Sequence, residues 1–245
     1  MARAVAIGAL AVMSACASTA GGSGSTSSAD AAFYGSSIQV TAVDGQTTVA
    51  LAKIDEIKQV SGVKTAFPVY RFDANSGAVS PAGVATSDSI VASDPTESAW
   101  SSLKTSYAKG HAIDADSSGE VVLGSTIAKE LGKNTGDTVD LPIHPAGGAA
   151  SHSFHVVGVL NITGTAPDRF AYVNITDGQM LLKDALPGGQ REEVDVTAVA
   201  TAIDVYAKAG TSITDLDRIA DQINKQVSGV KAIKPSQLLD SVKRA

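Results

Sequence analysis

The sequence predicts an α+β protein, in which a duplicated strand-helix-strand subdomain carries an inserted mixed α/β subdomain between its halves. Two observations predict it. The first is a repeat: Lys58-Gln59-Val60-Ser61-Gly62-Val63-Lys64 recurs unchanged as Lys225-Gln226-Val227-Ser228-Gly229-Val230-Lys231, and each copy is followed by an aligned proline, Pro68 or Pro235. Each copy ends an apolar-periodic run, Leu51, Ile54, Ile57 and Val60 in one and Leu216, Ile219, Ile223 and Val227 in the other. A helix leaving through a glycine into a strand has this pattern. Gly62 and Gly229 suit the left-handed position that closes a helix. The second observation is the spacing. The copies lie too far apart for a solenoid, whose period is about 20–50 residues, so something is inserted between two related halves.

Composition sets wide limits. A chain of 245 residues can bury a sizeable core as one large domain or two small ones. Aromatic residues are few, so Ala, Val, Ile and Leu must do most of the packing. A formal charge of -6 without a basic cluster argues against a nucleic-acid partner, because phosphate binding needs grouped Lys and Arg. The single cysteine, Cys16, excludes an intramolecular disulfide and a Cys-based zinc site.

Residues 1–20 are a signal peptide or a first membrane helix. Met1-Ala2-Arg3 is a short positive start, and Ala4 to Met13 is uncharged and mostly apolar. Ser14-Ala15-Cys16 resembles the end of a bacterial lipobox, with Met13 where that pattern usually has leucine. On that reading Cys16 is the lipidation site. A membrane helix from Ala4 to about Ala20 competes with it, slightly short against the roughly 20 apolar residues of a span. A disordered Ala-rich leader is the third reading. The first two place the body outside the cytoplasm, anchored to the membrane. Residues 21–32 are Gly- and Ser-rich and read as a flexible linker.

The first half occupies 33–109. Ser37 to Val43 alternates as a strand and ends at Asp44-Gly45. A helix follows from about Thr48 to Val60, then a strand from Val63 to Tyr70. Phe72 to Ala82 is turn-rich, Gly83 to Asp88 is a candidate third strand, and Glu97 to Tyr107 is a short amphipathic segment around Trp100.

The insertion occupies 110–189. Glu120 to Leu123 is an apolar strand, and Ser125 to Leu131 a helix with a capping hydroxyl at Ser125 and Gly132 at its end. Thr138 to Ile143 and Ser153 to Leu160 flank a Pro-Ala-Gly-Gly loop as a hairpin. Phe170 to Ile175 is a strand and Asp177 to Asp184 a helix, before the break at Pro187-Gly188-Gly189.

The second half occupies 190–245. Val194 to Lys208 is strand-like, and Thr214 to Val227 is a helix with Asp215 and Asp217 in its first turn, where the helix dipole favours negative charge. Val230 to Ile233 is the closing strand, and Ser236 to Ala245 a helix with a basic end.

Several of these pieces together resemble one family. Glu120-Val121-Val122-Leu123-Gly124-Ser125-Thr126-Ile127-Ala128-Lys129-Glu130-Leu131-Gly132, Gly136-Asp137-Thr138-Val139, Phe154-His155-Val156-Val157-Gly158-Val159-Leu160 and Ala171-Tyr172-Val173 resemble the extracytoplasmic core domain of MacB-like (MacB/FtsX-type) ABC-transporter permeases. Tyr34-Gly35 and Ile38-Gln39-Val40 look like that family's opening, followed by Ser61-Gly62-Val63. The resemblance runs from about Phe33 to Ser241. It implies that the duplicated halves form a porter-like subdomain lying between two membrane helices, with no bond chemistry of its own. It also implies partners: the membrane, an ABC ATPase subunit reached through a membrane part, and an extracytoplasmic protein or cargo. The motion it implies is a shift of the two halves against each other or against the insertion. A stand-alone lipoprotein that binds beside a permease complex is the alternative. No Gly-x-x-x-x-Gly-Lys-Ser/Thr loop occurs, so this chain is not the ATPase.

Chemistry is otherwise sparse, and no catalytic, cofactor or metal residue is assigned. His144 and His152 could face each other across the hairpin, but His152 and His155 point to opposite faces of a strand. Asp114-Ala115-Asp116-Ser117-Ser118-Gly119 matches half of a calcium loop, whose twelfth position here is Ser125 instead of Glu. A polar turn is the better reading. Thr163 to Arg169 is a polar loop that reads as a connection between strands. A hydrolase would need a Gly-x-Ser-x-Gly elbow or an equivalent constellation, and the sequence has none.

Overall fold

A computed structural model describes residues 27–43, 46–75, 77–80, 88–114, 116–143 and 150–244. The chain enters through α1 (Ser28–Tyr34) and β1 (Ile38–Ala42). A two-residue strand, β2 (Val49–Ala50), precedes α2 (Lys53–Lys58), and β3 (Val63–Asp73) and β4 (Ser89–Ser93) follow. A 3-10 turn over Pro95–Ala99 leads to β5 (Tyr107–Gly110), β6 (Glu120–Leu123) and α3 (Ser125–Leu131). The hairpin β7 (Thr138–Ile143) and β8 (Ala150–Leu160) precedes a second 3-10 turn, Ala166–Arg169, then β9 (Phe170–Val173) and α4 (Ile175–Ala185). The chain closes with β10 (Val199–Ala200), β11 (Ala202–Ala207), α5 (Ile213–Gln226), β12 (Val230–Ile233) and α6 (Pro235–Val242).

The repeat generates a two-fold relation in space. Val63 and its copy Val230 are the first residues of β3 and β12, and each pairs with the last residue of the other half's first strand: Val63 with Ala207, Val230 with Ala42. The resulting order β12-β1-β11-β3 places β11 between the two strands of the first half, and β1 between the two of the second. These are two interlocked split β-α-β units. Gly62 at φ 95° and Gly229 at φ 77° adopt the expected left-handed backbone, but they sit in the turns into β3 and β12 and do not close the helices, which are capped earlier at Gln59 and Val227.

The sheet does not stop at β3. It continues through β4, β9, β6 and β8 to β5, with β7 also on β8, so ten strands from both halves and the insertion share one hydrogen-bonded surface. Strand alternation gives it two unlike faces. Ile38 and Val40 of β1, Tyr70 and Phe72 of β3 and Ile203 and Val205 of β11 face the principal core, where they meet Ile57, Ile127, Leu181, Leu182, Ile219 and Ile223 from α2 to α5. Burying each such aliphatic side chain contributes about 1.5–3 kcal/mol. The opposite face is partly covered by α1 and α6, whose Tyr34, Leu238 and Leu239 cluster with Val69, Val91 and Phe170.

The structure revises several elements. The run read as helix from Thr48 begins as β2, because Leu51 donates its N–H to the Ala198 carbonyl and Val49–Ala50 pair with β10. That tertiary pairing overrides local periodicity and shortens α2 to six residues. The long strand expected from Val194 to Lys208 is split at Thr201, whose Oγ1 donates to the Val69 carbonyl and accepts the Arg71 N–H. Part of the stretch read as flexible linker is α1. Ser27 Oγ accepts the Asp30 N–H at 3.0 Å while Asp30 accepts the Ser27 N–H, a capping box that starts the helix. Ser125 is not the cap of α3. Gly124 is, with extended backbone and no side-chain cap, and only glycine fits there, since a Cβ would stand 2.2 Å from the Pro167 carbonyl oxygen. Gly83 to Ser87, His144 and Cys16 lie outside the described residues.

Candidate functional site

The polar residues of the strands converge on the less covered face of the sheet. Gln39, Arg71, Asp204 and Tyr206 alternate with core residues in β1, β3 and β11, so they point away from the principal core. The 3-10 turn after β4 is capped by Asp94, whose carboxylate accepts the Thr96 N–H at 2.8 Å. It lowers Glu97 onto this face. Together with Val91, Val122, Leu160, Phe170 and Tyr172 these groups line a cavity of about 580 Å³. That is within the range of about 300–1,000 Å³ typical of small-molecule pockets.

At one pole sits a buried charged cluster. Arg71 Nη2 lies 2.5 Å from Asp204 Oδ2. Tyr206 donates its hydroxyl to Glu97 Oε1 at 2.8 Å. Glu97 and Asp204 are only 8% and 6% exposed. Burial, and then the Asp204 carboxylate, push the Glu97 carboxyl up to about 8, so it is largely protonated at neutral pH. Burial opposes charge on Arg71, but the Asp204 carboxylate and its hydrogen bond, with Glu97 and Tyr206, together outweigh it and hold the guanidinium protonated more firmly than usual. Burial, then Glu97, raises Tyr206 and Tyr172 far above the ordinary phenol value. Asp204 Oδ1 has no hydrogen-bond partner among the described residues.

Sequence reading singled out none of this cluster. Its trace is a charge inside an apolar strand, Asp204 within Ala202-Ile203-Asp204-Val205-Tyr206 and Arg71 between Tyr70 and Phe72. A charge flanked in this way marks a strand whose second face is also covered. Glu97 left no comparable trace, because a 3-10 turn delivers it.

The residues weighed from sequence have other roles. His152 Nε2 lies 2.7 Å from Asp184 Oδ2, while His155 is exposed. No group of three or more His, Cys, Asp or Glu able to hold a metal occurs among the described residues. Asp114 and Ser117 form a turn through the Ser117 N–H and Oγ, and Gly119 donates its N–H to Asp177 Oδ2. The Thr163 to Arg169 loop is organised by the buried Asp168, which accepts from Thr163 N, Thr163 Oγ1 and Gly164 N at 2.8 Å each.

A second notable place is the seam where β9 joins β4. The two strands pair in parallel, Ser89 with Phe170 through Ala92 with Val173. Arg169 bridges the seam, with Nη2 2.8 Å from Asp88 and Nη1 3.2 Å from Glu130. From the other side α4 presses on β3 and β4 through Gly178, where a Cβ would stand 2.4 Å from that of Ala92.

A split-unit sheet continued by a mixed insertion can be compared with known domains. The chain matches the MacB-like periplasmic core domain family over residues 2–226. It belongs to that family. MacB-like core domains are extracytoplasmic parts of ABC-transporter permeases, a transporter family and not an enzyme family. In fold the chain is similar to the periplasmic region of MacB from Actinobacillus actinomycetemcomitans, at 11% identity and TM-score 0.50 over 87% of this chain and 95% of that one. The extracellular domain of the noncanonic ABC-type transporter YknZ from Gram-positive bacteria matches at 13% identity and TM-score 0.42, over 80% of this chain and 99% of that one. No curated protein sequence matches. Among the described residues no helix is long and apolar enough to cross a membrane.

Proposed function

We propose that this MacB-like domain relays conformational change for an ABC-transporter complex on the extracytoplasmic side of a membrane, where it contacts a partner or cargo for export or lipoprotein trafficking. The observation that carries the reading is the seam. Parallel β4–β9 pairing, the Arg169 bridges and the close approach of Gly178 join the duplicated part to the insertion as one body. The interlocked halves support a lever that moves as a unit over halves that slide, since sliding would break the β1–β11, β1–β12 and β11–β3 ladders together. The first and last described helices, α1 and α6, pack against each other beside this body. Displacement at either is delivered to the same point of the sheet.

The test is to isolate the tagged full chain from its host membrane in mild detergent and assay it before and after Arg169→Glu. The relay reading expects an ABC ATPase to co-purify and the variant to keep that partner while uncoupling its hydrolysis from transport. A chain that purifies without an ATPase, or transport indifferent to the variant, removes the reading.

Ser14-Ala15-Cys16 favours a second reading, a lipid-anchored binding module acting beside a permease complex. Metabolic labelling with a fatty acid separates the two: label lost on Cys16→Ala is expected of the module, and unlabelled wild-type chain excludes it.

A further inference from the structure

Three of the large hydrophobic side chains that the fold leaves uncovered share one rim. Trp100 is 42% exposed, Tyr107 40% and Ile162 78%. Hydrophobic residues exposed one at a time are ordinary on any surface, but these are drawn together. Lys104 folds back on the 3-10 turn beside Trp100, its ammonium donating to the Ser98 and Ala99 carbonyls at 3.1 Å each. Asn161 then ties the loop after β8 to the residue before Tyr107. Its N–H donates to the Ser106 carbonyl and its side-chain amide to the Ser106 hydroxyl, both at 2.8 Å.

The loop that presents Ile162 is fixed. Thr163 and Gly164, the next two residues, donate to the buried Asp168, and Thr165 Oγ1 donates to Asp30 Oδ1 at 2.6 Å. Ile162 is thus held out into water by an ordered loop that could have folded over it. The chemistry of the rim narrows what covers it. Neither residues 98–113 nor residues 156–167 include an Asp or Glu, although the chain carries a net charge of -6. Lys104 bonds only neutral oxygens, and Lys109 donates to Asn134 Oδ1 at 2.9 Å. Aromatic rings, an aliphatic tip and ammonium groups without carboxylate neighbours suit the water–lipid interface, where Trp and Tyr sit at headgroup level and Lys meets anionic lipid. A second copy docked rim to rim would instead set like charges against each other.

The location agrees. The Thr165–Asp30 bond holds the rim loop against the first turn of α1, the end at which the chain arrives from its apolar run, Ala4 to Met13, and Cys16. Ser27 follows Cys16 by eleven residues, at most about 40 Å of extended chain. We propose that the rim of Trp100, Tyr107 and Ile162, with Lys104, docks on the headgroup region of an anionic lipid bilayer. The proposal rests on the membrane-anchored reading of the chain and adds the face that the domain turns to the membrane. Ile162, the most exposed, enters deepest.

Trp100 is the only tryptophan of the chain, so its fluorescence reports the rim without a label. The full chain is reconstituted into vesicles of equal parts phosphatidylcholine and phosphatidylglycerol, with or without bromine on the acyl chains. Bromine quenches only at close range. Docking brings the rim within about 5–10 Å of the acyl boundary, so brominated lipid should cut Trp100 emission at least about twofold. Ile162→Asp should restore most of the lost emission. Lys104→Glu should restore part of it in the mixed vesicles and little in phosphatidylcholine alone. Met180→Gln, on α4 over the principal core, should change nothing. Flotation with the vesicles reads the anchor separately. A chain that floats with Trp100 unquenched is anchored but stands off the bilayer, which overturns the proposal alone. A chain that does not float overturns the proposal and the anchored reading together. Quenching that survives both Ile162→Asp and Lys104→Glu, or Trp100 shielded from acrylamide yet not reached by bromine, overturns it as well.

Discussion

Ile203 and Asp204 are neighbours in β11 and both are buried, yet they belong to opposite regimes. Ile203 joins a face where Tyr70, Phe72, Val205 and four helices exclude water with apolar surface alone. Asp204 joins a face where a carboxylate, a guanidinium and a protonated carboxyl are kept from water beside an open cavity. One strand serves both because its side chains alternate. The first face supplies stability, while the second buries charge and leaves Asp204 Oδ1 without a hydrogen-bond partner among the described residues.

Four measurements test that contrast. Ile203→Ala, on the helix-covered face, should cost about 3–4 kcal/mol in denaturant unfolding, as cavity-forming core truncations do. A loss below about 1 kcal/mol would mean that face is less tightly packed than its burial implies.

Glu97→Gln should have the opposite sign. The Glu97 carboxyl has a folded-state pKa of about 8 against an ordinary 4.5, so between these values the folded protein holds more protons than the unfolded one. Its contribution to stability therefore falls as pH rises through that window. Glutamine resembles the protonated acid. The variant should be more stable than wild type at pH 8, by up to about 4 kcal/mol, and the two should converge near pH 4.5. Equal slopes for both proteins between pH 5 and 8 would show that Glu97 ionises freely.

The repeat offers a comparison within the helix-covered face. Gly62 and Gly229 share sequence and left-handed backbone, but a Cβ at Gly62 would meet Ile219 at 2.8 Å, and one at Gly229 meets nothing within 4 Å. Gly62→Ala should cost about 2 kcal/mol and Gly229→Ala about 1 kcal/mol, the backbone term alone. Equal melting temperatures for the two variants would dismiss the contact with α5.

The smallest effect is expected at the edge of the cavity face. Ser27→Ala removes the cap of α1 and should lower stability by about 0.5–1 kcal/mol. Accelerated amide exchange should be confined to α1 and the α6 surface it covers.

Much of the architecture was legible because it is written in local patterns. The repeated helix-to-strand turn, the hairpin of β7 and β8 and the amphipathic α5 each carry their own signal in spacing and turn residues. What escaped depends on distant pairing. The residues at Val49–Ala50 are extended only because β10 lies beside them, and α1 needs its capping box to rise from a low-complexity stretch. The candidate site was nearly silent for the same reason. Arg71, Glu97 and Asp204 come from a strand, a 3-10 turn and a strand far along the chain, and no sequence spacing encodes their meeting.

The interlocked halves also govern the order in which this chain can fold. β1 has only β11 and β12 as neighbours in the sheet, and Val40 finds its partners at Ile203 and Ala232. Contacts so remote raise the contact order and slow folding, since a long loop must close before any of them is formed. Synthesis proceeds from the N-terminus, so β1 emerges long before either neighbour, while the strands of the insertion can already pair among themselves. For that interval β1 is a strand with one apolar face, Ile38 and Val40, and both edges open, a segment exposed to wrong pairing until its neighbours are made.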